Sequence, residues 1–470
     1  MRFCLLLAAS LLWAPGLCAV DESPVITPAM LGTAGELIQR ARQGNEAFAI
    51  VESLTTEVGP RLAGTEAEAR ARQWAVAKLR ELGFPSVRVE PFKVPLWLRG
   101  VERARIVAPF PQPLTITALG GSASTGPGGV TGEVVSFDSL AALAAAADGS
   151  LQGRIAFVDE PMTRTQDGSG YSVAVAKRRD AAYEAERLGA GALLIRSVGT
   201  SSRRFAHTGQ MRDAGSSEQR GVPAAALAAP DADQLRRALG RGQPVELEVT
   251  ITPEQRPPAS SGNVIAEIPG RERPDEIVLA GAHLDSWDLG TGAVDDGAGV
   301  GIVVAAAKLL MDHLPRGPRR TVRIVLFGSE EVGIIGARAY AEQHAATLVD
   351  HVLAAESDFG AGDIWRFDTR VAPDKLPIVD TIGQALRPLG IGPGGNDAHG
   401  GPDLEYLREA GVPVAGLVQN GWDYFDLHHT PDDTLDKIAP GALDQNVAAY
   451  AVLLYLVAES RADFRQDAGR

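Results

Sequence analysis

The sequence predicts an α/β protein: a mostly parallel mixed sheet with helices on both faces, interrupted by an inserted small α+β unit. Three observations lead there. Apolar runs with little alternation (DEIVLAGAH, TVRIVLFGS, HVLAAES, GVPVAGLVQN) recur from residue 256 onward, as strands covered on both faces do. Between and after them stand runs of helical periodicity, GAGVGIVVAAAKLLMDHL, VGIIGARAYAEQHAAT, PDLEYLREAG and ALDQNVAAYAVLLYLVAES, so strands alternate with helices. A middle segment of different composition, flanked by prolines, breaks the pattern.

In chain order, the opening MRFCLLLAASLLWAPGLCAV has one positive charge at Arg2, an apolar run from Phe3 to Trp13, and small residues beyond Pro15-Gly16. This is the layout of a secretory signal peptide over residues 1–19, cut after Ala19. It implies an exported chain, periplasmic or secreted. The run is shorter than the ~20 residues of a membrane span, so no membrane association is expected after cleavage. Both cysteines, Cys4 and Cys18, lie inside this segment. A mature chain without thiols holds metal only through histidine and carboxylate.

Residues 20–112 read as the amino-terminal part of a catalytic domain. AEARARQWAVAKLRELGF is helical, with Thr65 as N-cap and Gly83 as stop, and SVRVEPFKVPLWLR alternates as a half-buried strand. Pro109, Pro111 and Pro113 mark a linker into the insert, residues 113–255. There the β-like runs GVTGEVVSF, GRIAFVDE, GALLIRSV and QPVELEVTI are separated by the helices AAYEAERLGAGA and DADQLRRALGRG. Pro257-Pro258 ends it, and residues 256–470 complete the catalytic domain. The net charge of −14 argues against nucleic acid or an anionic membrane as partner, because both repel an acidic surface.

Ligands of parallel sheets bind beyond the carboxyl ends of the strands, and acidic residues and histidines stand there four times. The first strand runs into GAHLDSWDLGTGAVDDGAG, with His283, Asp285, Asp288, Asp295 and Asp296; the second ends at Glu330-Glu331; the third at Glu356 and Asp358; the fourth precedes YFDLHHTPDDT, with His428 and His429. Singly, each reads as something ordinary: a helix cap, a solvated glutamate pair, a core histidine. Together they gather at least three carboxylates and two imidazoles, and that concentration of buried charge is costly unless a cation neutralises it. With no thiol, Zn²⁺ suits best, with Mn²⁺ or Co²⁺ as substitutes. Five ligands exceed what one open catalytic zinc takes, and two ions sharing a carboxylate, ~3.5 Å apart, account for the number.

GAHLDSWDLGTGAVDDGAG, SEE, ESDFG and HHTPDDT resemble the successive motifs of the M28 co-catalytic zinc peptidases. The HLDSWD form, with AGVP upstream of the last histidine, is most similar to the carboxypeptidase Q branch. EVGPRLAGTEAEARARQWAVAKLRELGF resembles the family's amino-terminal helix, and GRIAFVD, AERLGAGALLI and VPAAALAAPDADQL resemble a protease-associated insert. The resemblance implies a zinc-exopeptidase, phosphorylase/hydrolase-like fold and two Zn²⁺, one held by His283 and Asp358, the other by Glu331 and His429, with Asp295 bridging. It implies Glu330 as general base and Asp285 as the carboxylate that orients His283. Chemistry agrees: of two neighbouring glutamates one can bind metal while the other faces the water, and Asp285, two residues beyond His283 in an extended chain, can accept the ring's other N–H.

Four further residues are candidates for contact with substrate. His399 in GGNDAHGGPDL lines the pocket or donates to an intermediate. His207, beside Thr208 in FAHTGQM, leans over the metals by resemblance, and Asp288 and His428 border the site. Trp287 and Trp422 are expected in the core. The function expected is a dinuclear zinc exopeptidase acting on dipeptides or short peptides, with a homodimer implied by resemblance alone. An aminopeptidase, a single-zinc glutaminyl cyclase and a non-catalytic receptor ectodomain are the alternatives. No arginine stands inside GAHLDSWDLGTGAVDDGAG, SEE, ESDFG or HHTPDDT to clamp a substrate carboxylate.

Overall fold

The computed structural model describes residues 25–212 and 221–465; the expected signal peptide, Cys4 and Cys18 lie outside the described residues. Three helices come first, α1 (Pro28–Gln43), α2 (Ala47–Glu57) and α3 (Glu66–Glu81). Thr65 Oγ1 accepts the Glu68 N–H at 3.3 Å and starts α3, and Gly83 follows its end with φ +87°, a conformation cheap only for glycine.

The chain then runs through β1 (Ser86–Leu98), β2 (Glu102–Ala108), β3 (Gln112–Leu114), β4 (Ile116–Ala118), β5 (Val130–Phe137), α4 (Leu140–Ala144), β6 (Ile155–Val158), α5 (Ser169–Arg187), β7 (Ala192–Arg196), β8 (Ala224–Leu227), α6 (Ala229–Leu239) and β9 (Glu246–Ile251). It continues as β10 (Glu254–Ile268), β11 (Arg273–His283), α7 (Ala298–His313), β12 (Arg320–Phe327), α8 (Ile335–Gln343), β13 (His351–Glu356), β14 (Ile364–Arg370), α9 (Leu376–Leu386), β15 (Gly392–Pro393), α10 (Glu405–Glu409), β16 (Val414–Gln419) and α11 (Asp444–Glu459).

One sheet has the order β1-β10-β12-β11-β13-β16-β14-β15. Its centre, β12-β11-β13-β16, is parallel, while β1, β10 and β14 join antiparallel. Alternate residues of β11 enter different cores. Val278, Ala280 and Ala282 pack with α1, α2, α7 and α11, whereas Ile277 and Leu279 pack with Ala337 and Tyr340 of α8. Helices therefore cover both faces, and the strands must be apolar on both sides. Register sets the functional edge, pairing His283 with Phe327 and Gly281 with Glu356. The ends of β11, β12 and β13 thus lie side by side.

The second sheet, β3-β2-β9-β5-β6-β7-β8-β4, also has eight strands. It begins at Glu102, ahead of the boundary expected at residue 113. Pro109 and Pro111 turn the β2–β3 hairpin, and Pro113 lies in the edge strand β3 opposite Arg105, where a missing N–H is harmless. Pro257 and Pro258 lie inside β10 instead of ending the insert. The β1–β10 register shifts between Val94 and Leu96, opposite Ala259 and Arg256, and this bulge takes the prolines. No described helix is long and apolar enough to cross a membrane.

Thr65→Ala is expected to lower unfolding free energy by about 1 kcal/mol, seen as a lower denaturant midpoint at unchanged slope; an unchanged midpoint would show that the cap contributes nothing.

Candidate metal centre

β11 ends on His283, whose ring Nδ1–H donates to the main-chain carbonyl of Asp285 at 3.0 Å. That bond turns Nε2 toward Asp295 Oδ1 at 3.1 Å and Asp358 Oδ1 at 3.4 Å. The other oxygen of Asp295 lies 3.4 Å from His429 Nε2, which lies 2.9 Å from Glu331 Oε2. Asp295 therefore stands between two imidazole–carboxylate pairs, one oxygen to each. His428 Nε2 also approaches Asp295 Oδ2, at 3.7 Å, its ring stacked on His429 with centroids 3.5 Å apart.

Local structure holds these groups in place. Asp433 accepts the N–H groups of Val294 and Asp295 at 2.7 and 3.2 Å. Asp296 accepts the His283 N–H at 3.1 Å and the Gly299 N–H at 3.0 Å, so it ties the end of β11 to the start of α7. The tight start of α7 needs glycine, because a Cβ on Gly299 would fall 2.0 Å from the Ser357 carbonyl and 2.3 Å from Asp296 Oδ1. Arg61, fully buried, donates to the carbonyls of Leu284, Thr291 and Gly292 at 2.5, 2.6 and 2.9 Å. It braces the loop that carries the chain from His283 to Asp295. Ser329 and His429 have φ of +63° and +61°, left-handed backbone that ordinary residues adopt only under constraint and that gathers at functional sites.

The electrostatics are those of a carboxylate cluster out of water. Burial pushes Glu330 up to about 8 and Asp433 up to about 7. It pushes Glu331 and Asp296 well above the carboxylate range, with repulsion from Asp295 adding to each. Burial works the same way on Asp295, but the His283 hydrogen bond and the neighbouring imidazoles hold it below its ordinary value. Burial lowers His429 well below its ordinary value, which keeps it neutral, as a metal ligand must be. Asp295 Oδ2 is buried without a hydrogen-bond donor. A cation on each side of Asp295 would satisfy that oxygen and offset the repulsion, and a donor set of imidazole and carboxylate without sulfur fits zinc.

Several expectations need correction. The Asp285 carboxylate stays 3.8 Å from His283 Nδ1 and accepts the Glu330 N–H at 3.0 Å instead; the chain turns after His283, so the carbonyl of Asp285 reaches the ring first. Asp288 is not free for substrate, being gripped by Arg99 through Nε and Nη2 at 2.8 Å. His399 is exposed, and its ring Nδ1 pairs with Arg408 at 3.2 Å. His207 lies behind the metal-facing side: its Nδ1–H donates to the His428 carbonyl at 2.7 Å. Beside it Thr208 N–H donates to the His429 carbonyl at 3.1 Å and Thr208 O accepts the His429 Nδ1–H at 3.2 Å. Trp422 is 52% exposed, whereas Trp287 is buried. Glu356 accepts the Asp403 N–H at 3.0 Å.

Carboxylates raised in the folded state hold protons that the unfolded chain releases near pH 4. Their stabilising contribution is complete below that pH and is lost as pH rises toward about 8, the value reached by Glu330. Chelated protein should therefore lose stability from about pH 5 to about pH 8, and cations that neutralise the cluster should prevent the loss. In thermal melts the gap between metal-loaded and chelated protein is expected to widen by several degrees over that range. A constant or narrowing gap would contradict this electrostatic account.

Comparison with known proteins identifies the family. A family model described as peptidase family M28 matches residues 263–454. Carboxypeptidase Q of Bos taurus is 34% identical over 421 residues, covering 88% of this chain and 86% of the relative. A solved peptidase M28 precursor from Shewanella amazonensis SB2B is 49% identical at a TM-score of 0.91, covering 93% of this chain and 98% of that one. A zinc aminopeptidase of Bacillus subtilis, 21% identical, shares the fold at a TM-score of 0.63 over 90% of this chain and 98% of its own. The chain belongs to peptidase family M28 and is a metallo-exopeptidase.

Proposed function

We propose that this enzyme is a dinuclear zinc exopeptidase, exported from the cytoplasm, that hydrolyses dipeptides or short peptides in the manner its carboxypeptidase Q relatives' name describes. The observation that carries the reading is Asp295, with one oxygen toward His283 and Asp358 and the other toward His429 and Glu331. His283 and Asp358 would hold one ion, Glu331 and His429 the other, and Asp295 would bridge. Zinc in this setting supplies Lewis-acid polarisation of the peptide carbonyl and a water acidic enough to attack at neutral pH.

The protein's own part falls mainly to Glu330. It lies beside Glu331 at the end of β12, and its N–H is fixed by the Asp285 carboxylate. Its carboxyl is buried next to the ligand Glu331, a position from which a carboxylate would take the proton from the attacking water and return it to the leaving amine. His283 and His429 each commit the Nδ1–H to a main-chain carbonyl, which leaves Nε2 as the nitrogen of the neutral ring that can bind a metal. A receptor-like role is disfavoured because all five ligand positions are occupied by competent side chains.

Glu330→Gln tests the mechanism. The variant is expected to keep its zinc while kcat falls by roughly three orders of magnitude or more; turnover near the wild-type value would remove Glu330 from the base role. A panel of free, amino-blocked and carboxy-blocked peptides tests the substrate class. An exopeptidase must lose activity when at least one terminus is blocked, and indifference to both blocks would overturn the reading.

A further inference from the structure

One charged side chain of the insert stands against the Nδ1 edge of His429 without a counter-charge. Arg178, on α5, is 6% exposed, and a guanidinium carries five N–H donors. Nη2 donates to the Tyr171 hydroxyl at 2.6 Å. Nη1 is 3.5 Å from His429 Nδ1, but that nitrogen spends its own proton on the Thr208 carbonyl and so offers no lone pair. Nε is buried with no partner. Among the described residues no carboxylate lies within 4.0 Å of this guanidinium.

The other buried arginines are matched. Arg61 is met by main-chain carbonyls, Arg196 by Asp159, Arg320 by Glu276 and Arg323 by Glu267. A buried cation with unused donors is destabilising unless an anion comes to it, and the planar fork of arginine matches a carboxylate. Gly209 fits this arrangement, since a Cβ there would meet Arg178 Nη1 at 2.3 Å. Tyr171 carries the pair toward the site. Its ring stacks on Phe425 at 4.9 Å and meets His428 edge-on at 5.1 Å. Its hydroxyl, already raised by burial, also feels the charges of Glu330 and Glu331. Because the hydroxyl accepts from Arg178, its own proton is free to donate.

We propose that Arg178, together with the Tyr171 hydroxyl, is the subsite for the free α-carboxylate of the peptide whose scissile bond lies at the metal centre. This rests on the exopeptidase reading and narrows it to peptides with a free carboxyl terminus. The insert, on this proposal, sets which end of the substrate is recognised.

The test compares zinc-loaded wild-type enzyme with Arg178→Met, Arg178→Lys and Tyr171→Phe on a dipeptide, its carboxamide, and a carboxamide ending in glutamate. Wild-type enzyme is expected to prefer the free acid to the amide, and the kcat/KM ratio between them is expected to fall about tenfold or more in Arg178→Met, with smaller falls in the other two. Metal content and thermal midpoint identify any variant that has failed to fold, and the milder two then carry the measurement. A ratio unchanged while both substrates slow equally would overturn the proposal and leave Arg178 a support for His429. Preference for the glutamate carboxamide over the plain one, lost in Arg178→Met, would also overturn it, by showing a side-chain carboxylate as the ligand. If wild-type enzyme with zinc cleaves no peptide in the panel, the exopeptidase reading itself fails; cleavage without any dependence on Arg178 fails only this inference.

Discussion

Asp295 has both carboxylate oxygens facing imidazoles while it sits out of water among Glu330, Glu331, Asp358 and Asp296. That concentration of negative charge is the constraint on which the rest of the site depends. A cluster of this kind repels itself unless cations occupy it, so the surrounding chain must hold the carboxylates in place in advance. Three residues do so by different means. Asp433 fixes the main chain of Asp295, Asp296 fixes that of His283, and Arg61 braces the loop between them with three carbonyl bonds.

The sheet contributes position and the insert contributes orientation. Parallel pairing of β12, β11 and β13 places His283, Glu330 and Asp358 at adjacent strand ends. On the outer side of His429 the hydrogen-bond partner comes from the insert. There the insert segment His207-Thr208 donates to the carbonyls of His428 and His429, from the His207 ring and the Thr208 N–H, and Thr208 O takes the His429 Nδ1–H. Arg99 couples the two units again, binding Asp288 of the catalytic loop, Glu102 and Thr117 of the insert sheet, and Thr208 Oγ1. The insert is thus built into the candidate centre, holding the ring of His429 and the loop of Asp288.

What could be read in advance follows from where each signal lies. His283, Asp295, Glu331, Asp358 and His429 were legible because each follows an apolar run, and an acidic residue or histidine at such a strand end is anomalous unless it serves the sheet's ligand edge. The helix start at Thr65 was legible because capping is local. Arg61 was not, since its partners Leu284 and Gly292 are more than two hundred positions away, and a lone arginine after Gly-Pro carries no mark of burial. Asp433 hid in an ordinary Pro-Asp-Asp turn, and Arg178 hid in a helix whose neighbours are mostly charged or alanine. Asp285 and Asp288 were misassigned for the same reason: spacing shows that a carboxylate is near, but only the folded chain shows which atom it meets.

Metal stoichiometry tests the bridging role of Asp295 most directly. The account predicts about two zinc ions per wild-type chain, measured by elemental mass spectrometry on protein purified without chelator, and loss of both in Asp295→Ala, whose side chain serves both halves of the site. Retention of one or two ions in that variant, or a wild-type content of a single ion that added zinc does not raise, would contradict it.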